Sequence, residues 1–297
     1  DAPATTGLKH FRHEQPVGGE FEPGESEEWH TDRVDRVEGA GVSQEKLELY
    51  WFEMRTCNAI RKESNVSPGL VMPQNGKKIR VAVAQLPVQA DDLAANAHEI
   101  LSAIRWAGHK KADFIVTPES GLTGHHNRFD KKARDEAVLE IRRALRLARV
   151  YGIIGTCDKR GGRSYVEQLI IRRDGTMVGR HSKIVLASVD RSWASPGRSV
   201  RVHKDRGLNF GCLVCNDLWA VPLSGADVDP RLTKRLAEKG ARIIFCSSYS
   251  GCDARFRPLH ESNVMLRAME GHLFIVSVNA AESRPVNALT GVMGPDG

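Results

Sequence analysis

The chain has 297 residues, enough for one large domain or two ordinary ones, and its 41% hydrophobic content can fill a core. No apolar run is long enough to span a bilayer, and the opening "DAPATTGLKHFRHEQP" lacks the basic-then-apolar order of a secretory leader, so neither a membrane partner nor export is expected. The formal charge of +6 is scattered, its densest stretch "IRRALRLAR" being the solvated face of a helical repeat with no nucleic-acid motif beside it, and six dispersed cysteines exclude a disulfide scaffold and imply a reducing, cytoplasmic setting.

Residues 1–77 are rich in Glu, Gly, Pro and Arg and read as an N-terminal extension. Within it, "SQEKLELYWFEMRTCNAIRKE" sets Leu47, Tyr50, Met54 and Cys57 near helical spacing behind a candidate cap at Ser43, which predicts one helix. Trp51 and Phe52 are expected to pack on the main body or on a partner, and "SPGLVMPQNGKK" reads as a linker.

A second unit spans 78–297, and from Ile79 its pattern alternates. "IRVAVAQ" predicts a strand, followed by a helix with Leu93, Ala97, Ile100, Leu101 and Ile104 on one face. "ADFIVTPES" predicts a second strand, Val138, Ile141, Leu145 and Ala148 line a second helix, and "GIIGTCD" is a third strand. "RSYVEQLIIRRDGTMVGRH" reads as a hairpin turning at Asp174-Gly175. "LNFGCLVC", "ARIIFCSS" and "HLFIVSVN" predict further buried strands, separated by helices around "DPRLTKRLAEKG" and "LHESNVMLRAMEG". This alternation predicts an α/β layered domain with much of its sheet buried on both faces. The closing "GVMGPDG" ends in a turn with no strand after it, so the chain reads as truncated at its C-terminus.

Chemistry gathers at the predicted strand ends, where ligand sites of layered α/β folds form. "FIVTPES" delivers Glu119 just after a proline that stops regular pairing, "GRHSKIVL" places Lys183, and "GCLVC" places Cys215. A thiol is a poor nucleophile at neutral pH, and a nearby cation favours its thiolate. A carboxylate can take the thiol proton and return it to a departing amine. A lysine, helped by the backbone N–H of Asn216, can hold the oxyanion formed when sulfur attacks a carbonyl.

The ordered segments "VAVAQLPV", "FIVTPESGLTG", "IIGTCDKRGGRSYVEQLIIRRDGTMVGRHSKIVL", "SPG", "GCLVCNDLW", "RAMEGHLFIVSVN" and "GVMGPDG" resemble the carbon–nitrogen hydrolase, or nitrilase, superfamily over about 79–297. The resemblance implies a four-layer α-β-β-α sandwich, a Glu119–Lys183–Cys215 triad, no metal or organic cofactor, a small amide-type substrate, and assembly into a homodimer or higher homo-oligomer. It also implies hydrolysis of a non-peptide carbon–nitrogen bond through a thioester, with amidase or N-carbamoyl amidohydrolase activity favoured and nitrilase activity open. Where the family often has a second glutamate, six residues before the Pro of "SPG", this chain has Asp190, one methylene shorter. "CNDLWAVP" also lacks the acidic residue many members carry after the proline.

Other readings stand beside this one. Cys212 and Cys215 could form a redox or zinc pair, but no helix-leading or second ligand-pair context accompanies them, and residues three apart on a strand face opposite sides. Asp190 reads equally as a site residue or a loop acid. Trp219 and Trp193 either shape the acyl pocket or simply pack. His125 and His126 read as a pocket edge or plain loop, and Asp217 as a structural cap behind the nucleophile. A catalytically silent binding or assembly module on the same fold is the alternative function.

Overall fold

Alternation along one strand organises the architecture. Ile79, Val81 and Val83 point into one core, while Ala82 and Ala84 point into another, as period-two side chains must. The structure, a computed structural model, describes residues 48–56, 77–219, 229–251, 253–281 and 286–297.

One six-stranded sheet has the order β1 (Glu48–Thr56), β2 (Lys77–Gln85), β3 (Phe114–Val116), β4 (Tyr151–Arg160), β5 (Arg163–Ile171), β6 (Met177–Ser182). Its β2, β3 and β4 are parallel neighbours, and β1, β5 and β6 are added antiparallel. The second sheet contains β7 (Val202–Asp205), β8 (Leu208–Val214), β9 (Ile243–Ser248), β10 (Phe274–Asn279) and β11 (Gly291–Met293), in the order β11-β10-β9-β8-β7. Here β8, β9 and β10 are parallel, with antiparallel strands at both edges.

The two sheets meet face to face. Phe114, Tyr151, Phe210 and Phe245 interlock between them with ring centroids 5.0–5.5 Å apart, in tilted and edge-on pairs that suit aromatic quadrupoles. On the outer face of the first sheet lie α1 (Leu93–His109) and α2 (Lys131–Ala148), seated through Ile100, Ile104, Val138, Ile141 and Leu145. Asp92 and Asp130 cap them, accepting from the Ala95 and Ala133 N–H groups at 2.9 and 2.7 Å. The outer face of the second sheet is covered by α3 (Asn216–Trp219), α4 (Leu232–Glu238) and α5 (Arg257–Gly271), which share a core with Leu213, Ile244 and Ile275. The layers therefore run α-β-β-α, as expected.

The helix expected over the "LELYWFEMRT" stretch is corrected to β1, paired along its length with β2. Strand pairing places Leu49 on the helix-facing core and Tyr50 and Phe52 against the inter-sheet core. The run Tyr-Trp-Phe favours a pleated surface, and the open edge of β2 offers one, so tertiary pairing overrides the helical spacing. The candidate cap Ser43, Leu47, Cys57, residues 67–76 of the linker and Cys252 lie outside the described residues, and the linker's closing Lys77 and Lys78 are corrected to the start of β2. Cys157 and Cys246 sit within β4 and β9 and are buried. Cys212 faces the inter-sheet core and Cys215 the helix-side core, so the two thiols point apart and the redox-pair reading loses its geometry.

Candidate active site

Glu119 is delivered by a loop pressed onto β4. After β3, the Thr117 N–H still pairs with the Ile153 carbonyl at 3.1 Å, and Pro118 then ends the ladder. The Thr117 side chain accepts from the Gly155 N–H at 2.9 Å, and the Leu122 N–H donates to the Gly155 carbonyl at 3.1 Å. Ser247 of the second sheet donates to the Thr117 carbonyl at 2.7 Å, tying the loop across the sandwich.

Lys183 follows β6 directly. Its N–H donates to the Val166 carbonyl at 2.8 Å, and its carbonyl accepts from Gly197 at 2.8 Å, so the backbone is held on both sides. Cys215 ends β8 with φ +45, a left-handed conformation that costs a non-glycine residue energy and is a recurrent feature of functional turns. Its N–H extends the ladder to the Ser247 carbonyl at 2.8 Å, and its carbonyl accepts from Leu218 at 2.9 Å to open α3.

Asp217 links these last two segments. Its Oδ1 accepts from the N–H groups of Ile184 and Val185, each at 2.8 Å, and its Oδ2 accepts from Val214 N–H at 3.1 Å and His181 Nε2–H at 2.7 Å. The structural role expected for Asp217 is therefore to staple the chain after Lys183 to the turn that carries Cys215.

The side chains converge in a buried cluster. The Lys183 ammonium lies 2.8 Å from Glu119 Oε1 and 2.7 Å from Asp190 Oδ2, and all three residues are at most 1% exposed. Asp190 therefore reaches Lys183 despite its shorter side chain. It is also the hub of its own turn, accepting from Ala187 N–H at 2.9 Å on the same oxygen while His125 Nε2 lies 2.7 Å from the other. Burial opposes its ionisation, but the His125 hydrogen bond and the Lys183 charge overcome that and hold its carboxyl below the usual range. Burial likewise works against the Lys183 cation, and the surrounding acidic groups outweigh it and raise its pKa.

Cys215 lies in the field of all three. Burial pushes its thiol up to about 12; Glu119 adds to the rise, Lys183 opposes it, Asp190 adds again, and the Trp219 indole N–H favours the thiolate. Burial thus favours the neutral thiol, and the residue is 8% exposed. Glu119 Oε2 is buried and has no hydrogen-bond partner among the described residues, which leaves one oxygen of the carboxylate available as a base.

Asn216 opens α3 immediately after Cys215 and is buried, with its side chain near the Leu186 carbonyl at 3.5 Å. Trp219 is 1% exposed and packs edge-on to His260 at 4.5 Å, so it is a wall behind Cys215 rather than a lining of an open pocket. Trp193 stands edge-on to His125 at 5.4 Å. His126 fixes the loop by contact with the Ala90 carbonyl and by accepting from Arg128 N–H, away from the cluster. A groove of about 420 Å³ along β6, lined by Arg180, Arg198 and Arg201, contains none of these residues.

Glu119, His125 and Asp190 each bring a potential ligand atom within 4.8 Å of the others, which is the arrangement a metal would need. The Lys183 ammonium already bridges the two carboxylates, so the cluster is built around a cation of its own. Sequence reasoning did not connect His125 to Asp190 or His181 to Asp217, because both contacts join segments far apart in the chain and a lone histidine carries no signal of its partner.

The family profile described as carbon-nitrogen hydrolase matches residues 80–291. An (R)-stereoselective amidase from Pseudomonas sp. is 25% identical over 206 residues, covering 68% of this chain and 70% of the amidase. A glutamine-dependent NAD(+) synthetase from Thermotoga maritima is 25% identical over 214 residues, which is 68% of this chain but 35% of the synthetase. Among solved structures, an amidase from Nesterenkonia sp. superposes with a TM-score of 0.64 at 19% identity, covering 77% of this chain and 87% of that one. A variant of the Nesterenkonia sp. AN1 amidase, with the acetamide moiety of fluoroacetamide added covalently at its active-site cysteine, gives 0.65 at 16% identity, covering 73% and 83%. The structural likenesses carry the fold, and the profile, spanning the sandwich from β2 to β11, carries the kinship: the chain belongs to the carbon–nitrogen hydrolase family.

Proposed function

We propose that this protein hydrolyses a small amide, or an N-carbamoyl compound, through a thioester on Cys215. The observation that carries the reading is the division of labour on Glu119: one carboxylate oxygen is held by the Lys183 ammonium at 2.8 Å, and the other is buried without a partner among the described residues, with the Cys215 thiol near enough to feel the carboxylate's charge.

The chemistry follows from those positions. Cys215 Sγ attacks the carbonyl carbon as its proton passes to Glu119, so thiolate character develops only as the new bond forms. The carbonyl oxygen becomes an oxyanion, stabilised by the Lys183 ammonium and the Asn216 N–H. Glu119 then gives its proton to the leaving nitrogen, the carbon–nitrogen bond breaks, and ammonia or an amine departs from the thioester. Water, losing its proton to Glu119, adds to the thioester carbon. Collapse of that second adduct returns the proton to sulfur and releases the acid. Asp190 does not touch the reacting atoms in this scheme; it holds Lys183 in place.

The shorter acid at 190 is one of the features that favour a catalytically silent scaffold, and its 2.7 Å contact with Lys183 answers that point. An amide is the substrate class favoured here because the amidase relative matches over most of both chains, and a related solved amidase holds butyramide in complex. The test is intact mass after brief exposure to short aliphatic amides, N-carbamoyl compounds and nitriles, comparing wild type with Cys215→Ala. An acyl adduct on wild type alone, with ammonia released, is expected. Neither adduct nor ammonia from any substrate, in a folded protein, would overturn the reading.

A further inference from the structure

We propose that His125 is a positioning residue of this site: it braces Asp190 against Lys183 and closes a hydrogen-bonded circuit that fixes the general base. The inference rests on the proposed roles of Cys215 and Glu119, and goes beyond them by assigning work to a side chain outside the proposed triad.

The circuit can be followed atom by atom. Glu119 Oε1 meets Lys183 Nζ at 2.8 Å, and Lys183 Nζ meets Asp190 Oδ2 at 2.7 Å. Asp190 Oδ1 meets His125 Nε2 at 2.7 Å, and His125 Nδ1 meets Ser120 Oγ at 3.0 Å. Ser120 is the neighbour of Glu119 in the chain, so the ring closes through one peptide unit. A carboxylate only accepts, so Nε2 carries the proton; in a neutral ring Nδ1 then accepts from the Ser120 hydroxyl. Ser120 Oγ is in turn 3.3 Å from Cys157 Sγ, which can donate to it.

Three features indicate that this ring is built rather than incidental. Ser120 is fully buried and sits at φ +57, a conformation that costs a non-glycine residue energy, and it places the hydroxyl on His125. The two carboxylates flank a single ammonium, which leaves one negative charge in excess inside the protein, and the imidazole N–H is the donor aimed at it. The ring itself is held edge-on by Trp193 at 5.4 Å and Tyr249 at 5.9 Å, so its tilt is set from outside the circuit. Asp190, one methylene shorter than glutamate, has less freedom to find Lys183 unaided, and His125 fixes the oxygen that Lys183 does not use.

The groups facing Asp190 are Lys183, His125 and the Ala187 N–H, with Cys215 and Glu119 in the same cluster. Removing the histidine donor makes Asp190 easier to protonate, which releases Lys183 and loosens its hold on Glu119.

The experiment compares His125→Phe with His125→Gln in the whole chain. Phenylalanine keeps a flat ring against Trp193 and Tyr249 but loses both hydrogen bonds, whereas glutamine keeps a donor for Asp190 and loses the ring. The readout is the rate of iodoacetamide alkylation at Cys215 across pH, mapped by peptide mass with Cys212 as the internal reference. A brace predicts that the Phe variant alkylates about tenfold or more slowly, with its acid limb moved to higher pH, while the Gln variant stays near wild type. A packing role predicts the opposite order, and that result, or a Phe variant that superimposes on wild type, overturns the inference. Should the Phe variant not fold, the Gln variant decides: an unmoved acid limb supports the brace and a moved one overturns it. If wild-type Cys215 itself reacts no faster than Cys212, the nucleophile reading falls and takes this inference with it; fast wild-type labelling with an indifferent Phe variant sinks the inference alone.

Discussion

A β-carbon on Gly155 would stand 1.8 Å from the carbonyl oxygen of Pro118, a backbone atom held in place by its neighbours, and 3.2 Å from the Glu119 Cα. The loop bearing Glu119, the proposed general base, can lie on β4 only because residue 155 has no side chain. Gly155→Ala is therefore expected to push the 117–122 loop off the strand, lowering stability by about 1–3 kcal/mol. Alkylation of Cys215 should slow at the same time, because Glu119 moves with the loop. Urea unfolding together with the labelling rate checks this; an alanine variant unchanged in both would show that the loop has another seat.

Asp217 is the second such anchor, and its reach crosses from the Lys183 segment to the Cys215 turn. Asp217→Ala strands three backbone N–H groups and the His181 imidazole in a buried region. The expected loss is on the order of 3 kcal/mol or more. Asp217→Asn retains one acceptor oxygen and should fall between alanine and wild type. Chemical denaturation of the three proteins measures the order, and an alanine variant within about 1 kcal/mol of wild type would mean that these bonds carry little stability.

These two anchors mark the boundary of what the sequence makes legible. The sandwich was readable because period-two strands such as "IRVAVAQ" and helical faces such as Val138, Ile141 and Leu145 repeat locally, and local repetition is what a linear reading detects. The positions of Glu119, Lys183 and Cys215 were readable because each follows a recognisable strand, while the catalytic roles given to them come from the family resemblance and stand as the proposal above. β1 was misread because Leu47, Tyr50, Met54 and Cys57 fall at helical spacing, whereas the deciding partner, the edge of β2, is a tertiary fact. The same holds for His125 and Gly155, whose roles come from loops meeting in space, 65 residues apart in the case of His125 and Asp190.

Acid should weaken the cluster in a defined direction. The folded-state pKa of Asp190 lies below its unfolded value, so its stabilising contribution is complete above the ordinary aspartate range, near 3.9, and is lost as pH falls from there towards the depressed folded value. Asp190→Asn removes that contribution, so the variant should be less stable than wild type at neutral pH and should lose less further stability on acidification. Urea melts from about pH 6 down to about pH 2.5 on both proteins read the difference. Parallel curves would show that Asp190 does not gain its stability from being ionised.

The last prediction separates two ways of making Cys215 reactive. If alkylation ran through a fraction of thiolate present at rest, removing the negative charge of Glu119, which raises the thiol pKa, would enlarge that fraction and speed the reaction. If the thiol is neutral at rest, as burial and Glu119 together dictate, reaction needs Glu119 to accept the proton, and Glu119→Gln removes the acceptor while keeping the shape of the side chain and an oxygen for Lys183. The two accounts thus differ in sign. The neutral-thiol account expects Glu119→Gln to slow Cys215 alkylation by on the order of 10²–10⁴-fold, towards the rate of Cys212, whose thiol is also raised by burial. Faster labelling in the glutamine variant would refute general-base activation and establish a preformed thiolate held by Lys183.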